Sequence, residues 1–233
     1  MRLLNHLGNE FCIAHFQGKT YRWFPDLLKH INRQKVTLPD NVEIVTVSNR
    51  SGTSMLISQL KKNNIPYINK VPEGCYWNNL KKIGYINEAL LEVKSKYVLI
   101  LDADDVLITR TASEIVKRLN KYKKQILFNA DKYNYPDMLI DKIPDRDFMG
   151  QYRYLNAGAC FGLLESCREF YRKADEILSN GNIYNPSNSE QFIIRHAFKD
   201  ATDIVGFDYE CNLFQTFIGA TVRDLGNKRY MIV

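Results

Sequence analysis

No two cysteines of this chain stand in a C-x-x-C pair, and the five it has (Cys12, Cys75, Cys160, Cys167, Cys211) are odd in number and dispersed. That argues against a disulfide framework and for reduced thiols in a cytoplasmic compartment. Long hydrophobic runs are missing as well. Asn5, His6, Asn9 and Glu10 interrupt residues 1–16, so no signal peptide is expected, and no stretch approaches transmembrane length. The four histidines (His6, His15, His30, His196) show no H-E-x-x-H spacing, which argues against a catalytic zinc site. The glycines form neither G-x-G-x-x-G nor G-x-x-x-x-G-K-[ST], so dinucleotide and P-loop readings are weak. There is no serine or cysteine nucleophile constellation, no internal repeat and no low-complexity tract.

What is present fits an ordinary soluble α/β domain. The 233 residues suffice for one full core, and the apolar and charged fractions of 45% and 25% are average. The formal net charge of +6 comes from scattered lysines. Their clusters, Lys61-Lys62, Lys81-Lys82 and residues 121–124, lie on expected helices or their ends, as solvated faces do. The field suits an anionic substrate or membrane surface but is too weak to argue for nucleic acid.

Residues 97–110 organise the rest. The apolar run 98–101 has the length and type of a strand buried on both faces of a parallel sheet, and it stops on Asp102, Asp104 and Asp105. In open α/β sheets ligands collect beyond the carboxyl ends of the strands. Carboxylates this close repel unless a positive charge lies between them, and hard oxygen donors favour Mg²⁺ or Mn²⁺ with positions left for phosphates. The alternative is an acidic strand-to-helix turn with capping roles.

Around that strand the order of elements is that of a nucleotide-binding α/β sheet. Residues 11–16 read as a short strand, 23–31 as a helix with Pro25 in its first turn, and 32–41 as a polar linker. A strand at 42–47, ending on Val47, precedes a polar turn at 48–53. There Ser51 or Thr53 would cap a helix reaching about Asn63. A short edge strand follows at 65–69, then a helix over 77–93 with the stripe Leu80, Ile83, Ile86, Leu90 and Leu91. After the aspartates, Thr111 to Glu114 has a capping-box pattern for a helix to about Lys121. A strand at 125–129 leads into a long polar loop, 131–150. The glycines of residues 156–162 permit close backbone approach, with Asn156 to Gly158 read as a turn; 164–178 reads as a helix, 183–189 as a polar loop and 190–198 as a helix. Residues 204–207 and 212–217 are strand candidates, and the chain ends on the apolar run 230–233.

Four groups could do chemistry. The aspartates are candidate metal ligands. Lys82 could meet a phosphate, its alternative being a solvated helix lysine. The Asn156 to Gly158 turn and the Glu190-Gln191 pair could hydrogen-bond a polyhydroxyl substrate, their alternatives being turn and helix-cap roles.

Several segments, in order, resemble the glycosyltransferase domain at the amino-terminal end of procollagen lysyl hydroxylases and in related bacterial and viral sugar transferases. The similarity spans about residues 42–217. The strand ending in Asp102-Ala-Asp-Asp105 resembles that family's Asp-x-x-Asp. Asp104 stands where the family often has an aromatic residue, and it also makes an Asp-x-Asp. Further matches are residues 125–130 with Tyr135-Pro-Asp137, Leu155-Asn156-Ala-Gly158 with Gly162, Glu190-Gln191 in place of Asp-Gln, and Asp208-x-x-Cys211-x-Leu-Phe-Gln215. Val47, Trp77 and Lys82 fall where donor-binding residues are expected.

The resemblance implies a GT-A (Rossmann-like) fold with a mostly parallel sheet, a UDP-sugar donor, and Mn²⁺ or Mg²⁺ on Asp102 and Asp105. The activity implied is hexose transfer to a hydroxyl of a glycan, lipid-linked or protein acceptor, with Glu190, Gln191 and Asn156 at the sugar and acceptor. The other reading is a catalytically silent domain that binds a nucleotide sugar or glycan; a nucleotidyltransferase is disfavoured by the Leu-Asn-Ala-Gly and Phe-Gln segments. In the resembled family a His-x-Asn-Gly motif after the Phe-Gln strand supplies a third metal ligand, and no histidine follows His196 here. Residues 11–19, with His15, Gly18 and Lys19, resemble that piece. The expectation is a circularly permuted domain in which residues 1–41 supply His15 to the metal and Gly18-Lys19 to the diphosphate, and 42–233 form the rest. The alternative is an unrelated amino-terminal strand with His15 packed or solvated.

Overall fold

The strand predicted at 98–101 lies in the middle of a twelve-strand, six-helix arrangement in a computed structural model that describes residues 2–17, 20–48, 54–71, 78–135, 150–181 and 188–233. In chain order the elements are β1 (Arg2–Leu4), β2 (Ile13–His15), α1 (Pro25–Arg33), β3 (Val42–Val47), α2 (Met55–Lys62), β4 (Tyr67–Lys70) and α3 (Lys81–Glu92). Then come β5 (Tyr97–Asp102), β6 (Val106–Ile108), α4 (Ile115–Leu119), β7 (Ile126–Asp131), β8 (Tyr154–Leu163), α5 (Leu164–Ser179) and α6 (Glu190–Lys199). The chain closes with β9 (Val205–Phe207), β10 (Phe214–Thr216), β11 (Val222–Asp224) and β12 (Arg229–Ile232).

Six strands form the main sheet in the order β4-β3-β5-β8-β7-β9. Only β8 runs against the others, so the expected mostly parallel α/β sheet is the one observed. Successive side chains of β5 point to opposite faces, and both faces are covered. Val98 and Ile100 pack with Ile83, Ile86, Phe170 and Phe192 of α3, α5 and α6. Leu99 and Leu101 pack with Leu56, Leu60 and Ile115 of α2 and α4 and with Ile13 of β2.

Two three-stranded sheets flank the main one. In the first, β2 lies between β10, parallel to it, and β6, antiparallel to it. In the second, β1 pairs in parallel with β12, which pairs with β11. Residues 2–33 are thus woven into the molecule. Phe16 stacks on Phe217 with ring centroids 4.3 Å apart, and both share an apolar cluster with Leu27 and Ile31 of α1.

Several local expectations differ from the structure. Residues 156–158 are not a turn; they lie inside the ten-residue strand β8. The glycines of 156–162 are there because neighbours fill the space a Cβ would need: at Gly162 it would meet the Gln125 carbonyl oxygen at 2.7 Å. The cap of α2 is Ser54, whose Oγ accepts from Ile57 N at 3.2 Å; Ser51 and Thr53 lie outside the described residues. The capping box at Thr111 does not form, because Thr111 lies inside a 3-10 turn that precedes the five-residue α4; its hydroxyl donates to the Phe11 carbonyl. Leu91 is 75% exposed, one position off the buried stripe of α3, and α3 begins at Lys81. Strands β1, β6 and β11, three residues each, are too short to leave a periodic signal.

Candidate active site

The site forms where β5, β3, β7 and β2 end together. Asp102 is the last residue of β5 and pairs in register with Val47, the last residue of β3, which is 5% exposed. Asp104 and Asp105 lie in the turn that returns the chain as β6. Strand β2 alternates as a buried strand should: Phe16, just past its end, packs with Phe217, while His15 faces the aspartates. The His15 Nε2 lies 3.5 Å from Asp105 Oδ1, with 3% of its side chain exposed.

One ligand atom each from His15, Asp102 and Asp105 lies within 4.8 Å of the others. Ligands on one ion at about 2.0–2.2 Å stand within roughly 4.4 Å of each other, so these donors need only a small closure to share a cation. A nitrogen and two carboxylates also suit Mn²⁺ or Mg²⁺ chemically. Asp104 is outside this group.

Lys82 is buried on α3 and forms ion pairs with both Asp102 and Glu190, the latter at 3.2 Å. Its pKa balances opposing effects: burial pushes the ammonium down, but Asp102 and then Glu190 outweigh it and hold the group above its usual value. Burial likewise would lower the His15 imidazole, yet Asp105, with Asp102 and Asp131 behind it, raises it. The Asp102 carboxyl is raised, first by burial and then by Asp105 and Glu190, against the pull of Lys82 and His15. With 30% of its side chain exposed, water softens that push, and the direct contact with Lys82 keeps the pair ionic. The excess negative charge beside Asp105 is what a bound cation would neutralise.

Glu190 opens α6 and is held by Lys82. Gln191 turns the other way: its Oε1 accepts from Ala157 N at 3.0 Å, and its Nε2 donates to the Tyr135 carbonyl. Asn156 Oδ1 accepts from Gly158 N at 2.8 Å, and Asn156 Nδ2 donates to Asp131 Oδ2 at 3.3 Å. Here β8 slips register against β7, with Asn129 opposite Asn156 directly after Phe128 opposite Cys160, so residues 157–159 bulge toward β2. A Cβ on Gly158 would collide with the His15 ring and sit 2.8 Å from Asp102 Oδ2, so this glycine is what lets strand and ligands meet.

The structure therefore brings together His15, Val47, Lys82, Asp102, Asp105, Asn156, Gly158, Glu190 and Gln191 of the residues singled out from sequence. Trp77, Gly18 and Lys19 lie outside the described residues. Sequence reading missed four neighbours. Asn129 Nδ2 is 2.9 Å from His15 Nδ1; Gln17 Nε2 donates to Asp131 Oδ2 at 2.7 Å. Arg195, one turn beyond Gln191, donates to the Tyr135 carbonyl at 3.2 Å. One signal was available: Asn129 and Asp131 are polar residues two apart at the carboxyl end of an apolar strand, hence on one face at the ligand end.

The family model described as the PLOD GT domain matches residues 77–226, more than half of the chain. Procollagen-lysine,2-oxoglutarate 5-dioxygenase of Drosophila melanogaster is 34% identical over 85 residues, 35% of this chain and 12% of that protein. Procollagen-lysine,2-oxoglutarate 5-dioxygenase 1 of Mus musculus is 23% identical over 154 residues, 60% of this chain and 19% of that protein. The chain thus spans less than a fifth of the length of either relative. Among solved structures, S. aureus TarS residues 1–349 in complex with UDP aligns at 15% identity and a TM-score of 0.40, covering 93% of this chain and 60% of that one.

Proposed function

Because this chain belongs to the PLOD GT domain family, a family of glycosyltransferase domains, we propose that it moves a hexose from a UDP-sugar to an acceptor hydroxyl with the help of Mn²⁺ or Mg²⁺. The observation that carries this reading is the group His15, Asp102 and Asp105 at the carboxyl ends of the strands. A cation held there would supply electrostatic stabilisation to the diphosphate as negative charge builds on the departing UDP.

The chain's own residues account for the rest. Lys82 holds its charge because Asp102 and Glu190 flank it, so a permanent cation stands beside the metal position for the diphosphate. Asn156 and Gln191 fix the bulge at 157–159 by accepting from its backbone amides, which holds that backbone in place beside His15 and Asp102. Glu190 faces the donor sugar or the acceptor hydroxyl, on the opposite side from Asn156. Val47 and Gly158 would border the donor at the strand ends, Gly158 by letting β8 pass close to His15 and Asp102, and Trp77, Gly18 and Lys19 are proposed as further donor-binding residues. The acceptor is a glycan, a lipid-linked sugar or a protein. No helix among the described residues is long and apolar enough to cross a membrane.

Residues 1–41 are read as the piece that the resembled family carries after its Phe-Gln strand. Two observations support this: β2 continues the sheet beside β10, which holds Gln215, and β1 lies against β12. Circular rearrangement of this kind is tolerated when the two ends of a domain are close.

A hydrolysis screen across UDP-, GDP- and CMP-sugars, with and without Mn²⁺, tests the reading. Release of UDP from one donor, only with metal, is expected. Binding of a nucleotide sugar with no turnover under any condition would favour the silent, sugar-binding alternative. In the same assay Glu190→Gln should slow transfer and hydrolysis; full rates would leave Glu190 as a helix-start acid favoured by the dipole.

A further inference from the structure

Asn129 is fully buried at the site end of β7, against the face of His15 that turns away from the aspartates. Its Nδ2 lies 2.9 Å from His15 Nδ1, while its Oδ1 is buried with no hydrogen-bond partner among the described residues. Across the ring, Nε2 faces Asp105 Oδ1 at 3.5 Å, and His15 offers one ring nitrogen to the group with Asp102 and Asp105. A neutral imidazole has one N–H and one lone pair, and the partner at one nitrogen dictates the role of the other.

Two arrangements follow from that chemistry. With the amide Nδ2 donating to Nδ1, the ring proton sits on Nε2 and points at Asp105, which closes that nitrogen to a cation. With the amide turned over, Oδ1 accepts from Nδ1–H, and the Nε2 lone pair is directed at the aspartates. Among the described residues nothing on its far side holds Oδ1, so turning the amide breaks no bond there and leaves the NH₂ group, in its turn, without an acceptor until a cation on Nε2 offsets that cost. Metal-binding histidines nearly always donate their other N–H to a carboxylate, a carbonyl or water, and the Asn129 carbonyl is placed for that part.

We propose that Asn129 is a positioning residue that selects the tautomer of His15, presenting Nδ2 to close Nε2 and Oδ1 to open it to a divalent cation. This deepens the metal reading above and rests on it.

The test compares wild type, Asn129→Leu and Asn129→Asp by imidazole ¹⁵N shifts at alkaline pH, with and without Mg²⁺, and by calorimetric titration with Mn²⁺. In wild type, Mg²⁺ should move His15 from the Nε2–H to the Nδ1–H form. Asn129→Leu should lose that preference and bind Mn²⁺ about 10–100-fold more weakly. Asn129→Asp, whose carboxylate accepts from Nδ1–H, should hold the Nδ1–H form without metal and restore the affinity. A folded Asn129→Leu with wild-type shifts and affinity overturns the proposal, and so does Asn129→Asp with His15 still in the Nε2–H form. If Asn129→Leu does not fold, the metal-free tautomer of Asn129→Asp decides alone. Absence of Mn²⁺ and Mg²⁺ binding in wild type would defeat the metal reading itself, and the metal-free shifts would still support or overturn the Asn129–His15 coupling.

Discussion

Asp208 and Asp102 are both aspartates at the carboxyl ends of strands of one sheet, and burial raises both carboxyls above their usual range. What opposes burial differs. Asp208 is fully buried, and its oxygens accept from the backbone amides of Asn212 at 3.0 Å, Leu213 at 2.6 Å and Phe214 at 2.8 Å, and from the Tyr122 hydroxyl. These are fixed dipoles, and they leave the carboxylate saturated. Asp102 has charges for neighbours: Lys82 and His15 on one side of the balance, Asp105 and Glu190 on the other. Its side chain remains 30% exposed. A saturated carboxylate organises the chain around it, whereas one among unbalanced charges has room for a ligand. The two are connected, since the turn gathered by Asp208 feeds directly into β10, and β10 holds β2 with His15 in place.

The largest effect expected from breaking this contrast is at Asp102. Asp102→Asn should leave the fold intact and lower metal-dependent transfer by about 10³-fold, the scale of losing a principal electrostatic group. Calorimetry with Mn²⁺ and UDP checks it, and unchanged affinity for both would sink the assignment. Asp208→Asn should do the reverse. Replacing one acceptor oxygen by an NH₂ group facing amide donors should destabilise the chain by about 3 kcal/mol in urea unfolding. Mn²⁺ affinity of the folded fraction should stay at the wild-type value; a loss of affinity with no loss of stability would reverse the roles given to the two residues. The smallest effect belongs to Gly158→Ala. The new methyl group would press on His15 and Asp102, costing about 2 kcal/mol as overpacking. Thermal melts paired with Mn²⁺ titration should show both a lower midpoint and weaker binding, and an alanine tolerated in both assays would mean that the bulge does not crowd the ligands.

Legibility followed the same division. The acid-tipped strand stood out because a strand covered on both faces must be an unbroken apolar run, and its abrupt end in carboxylates has no packing explanation. The helices at Pro25, Met55 and Leu164 were readable from periodicity and local signals. The glycines of 156–162 were legible as places of close backbone approach, and His15 and the Gln125 backbone do crowd them; the turn read at 156–158 misled because glycine's freedom of φ is not used there and the segment continues β8. Thr111 misled because the chain is already turning there: it lies inside the 3-10 turn Arg110–Glu114, not at a helix start, and its hydroxyl donates to the distant Phe11 carbonyl. Asn129 went unnoticed because its polarity at a strand end marks a position without naming a role, and its partner His15 lies 114 residues away in the chain.

The amino-acid sequence by itself determined the α/β class, the strand that ends in Asp102 and Asp105, and an order of motifs specific enough to point to a glycosyltransferase domain. These are local properties, carried by contiguous residues and their spacing. Only the tertiary structure decided that His15 and Asn129 join those acids. Strand β2 is three residues long, too short to specify its own place, and its register comes from β6 on one side and β10 on the other. Pairings between such distant segments leave no periodicity in the chain. They form because burying Phe16 against Phe217, and Ile13 against the sheet, leaves His15 no other direction to face.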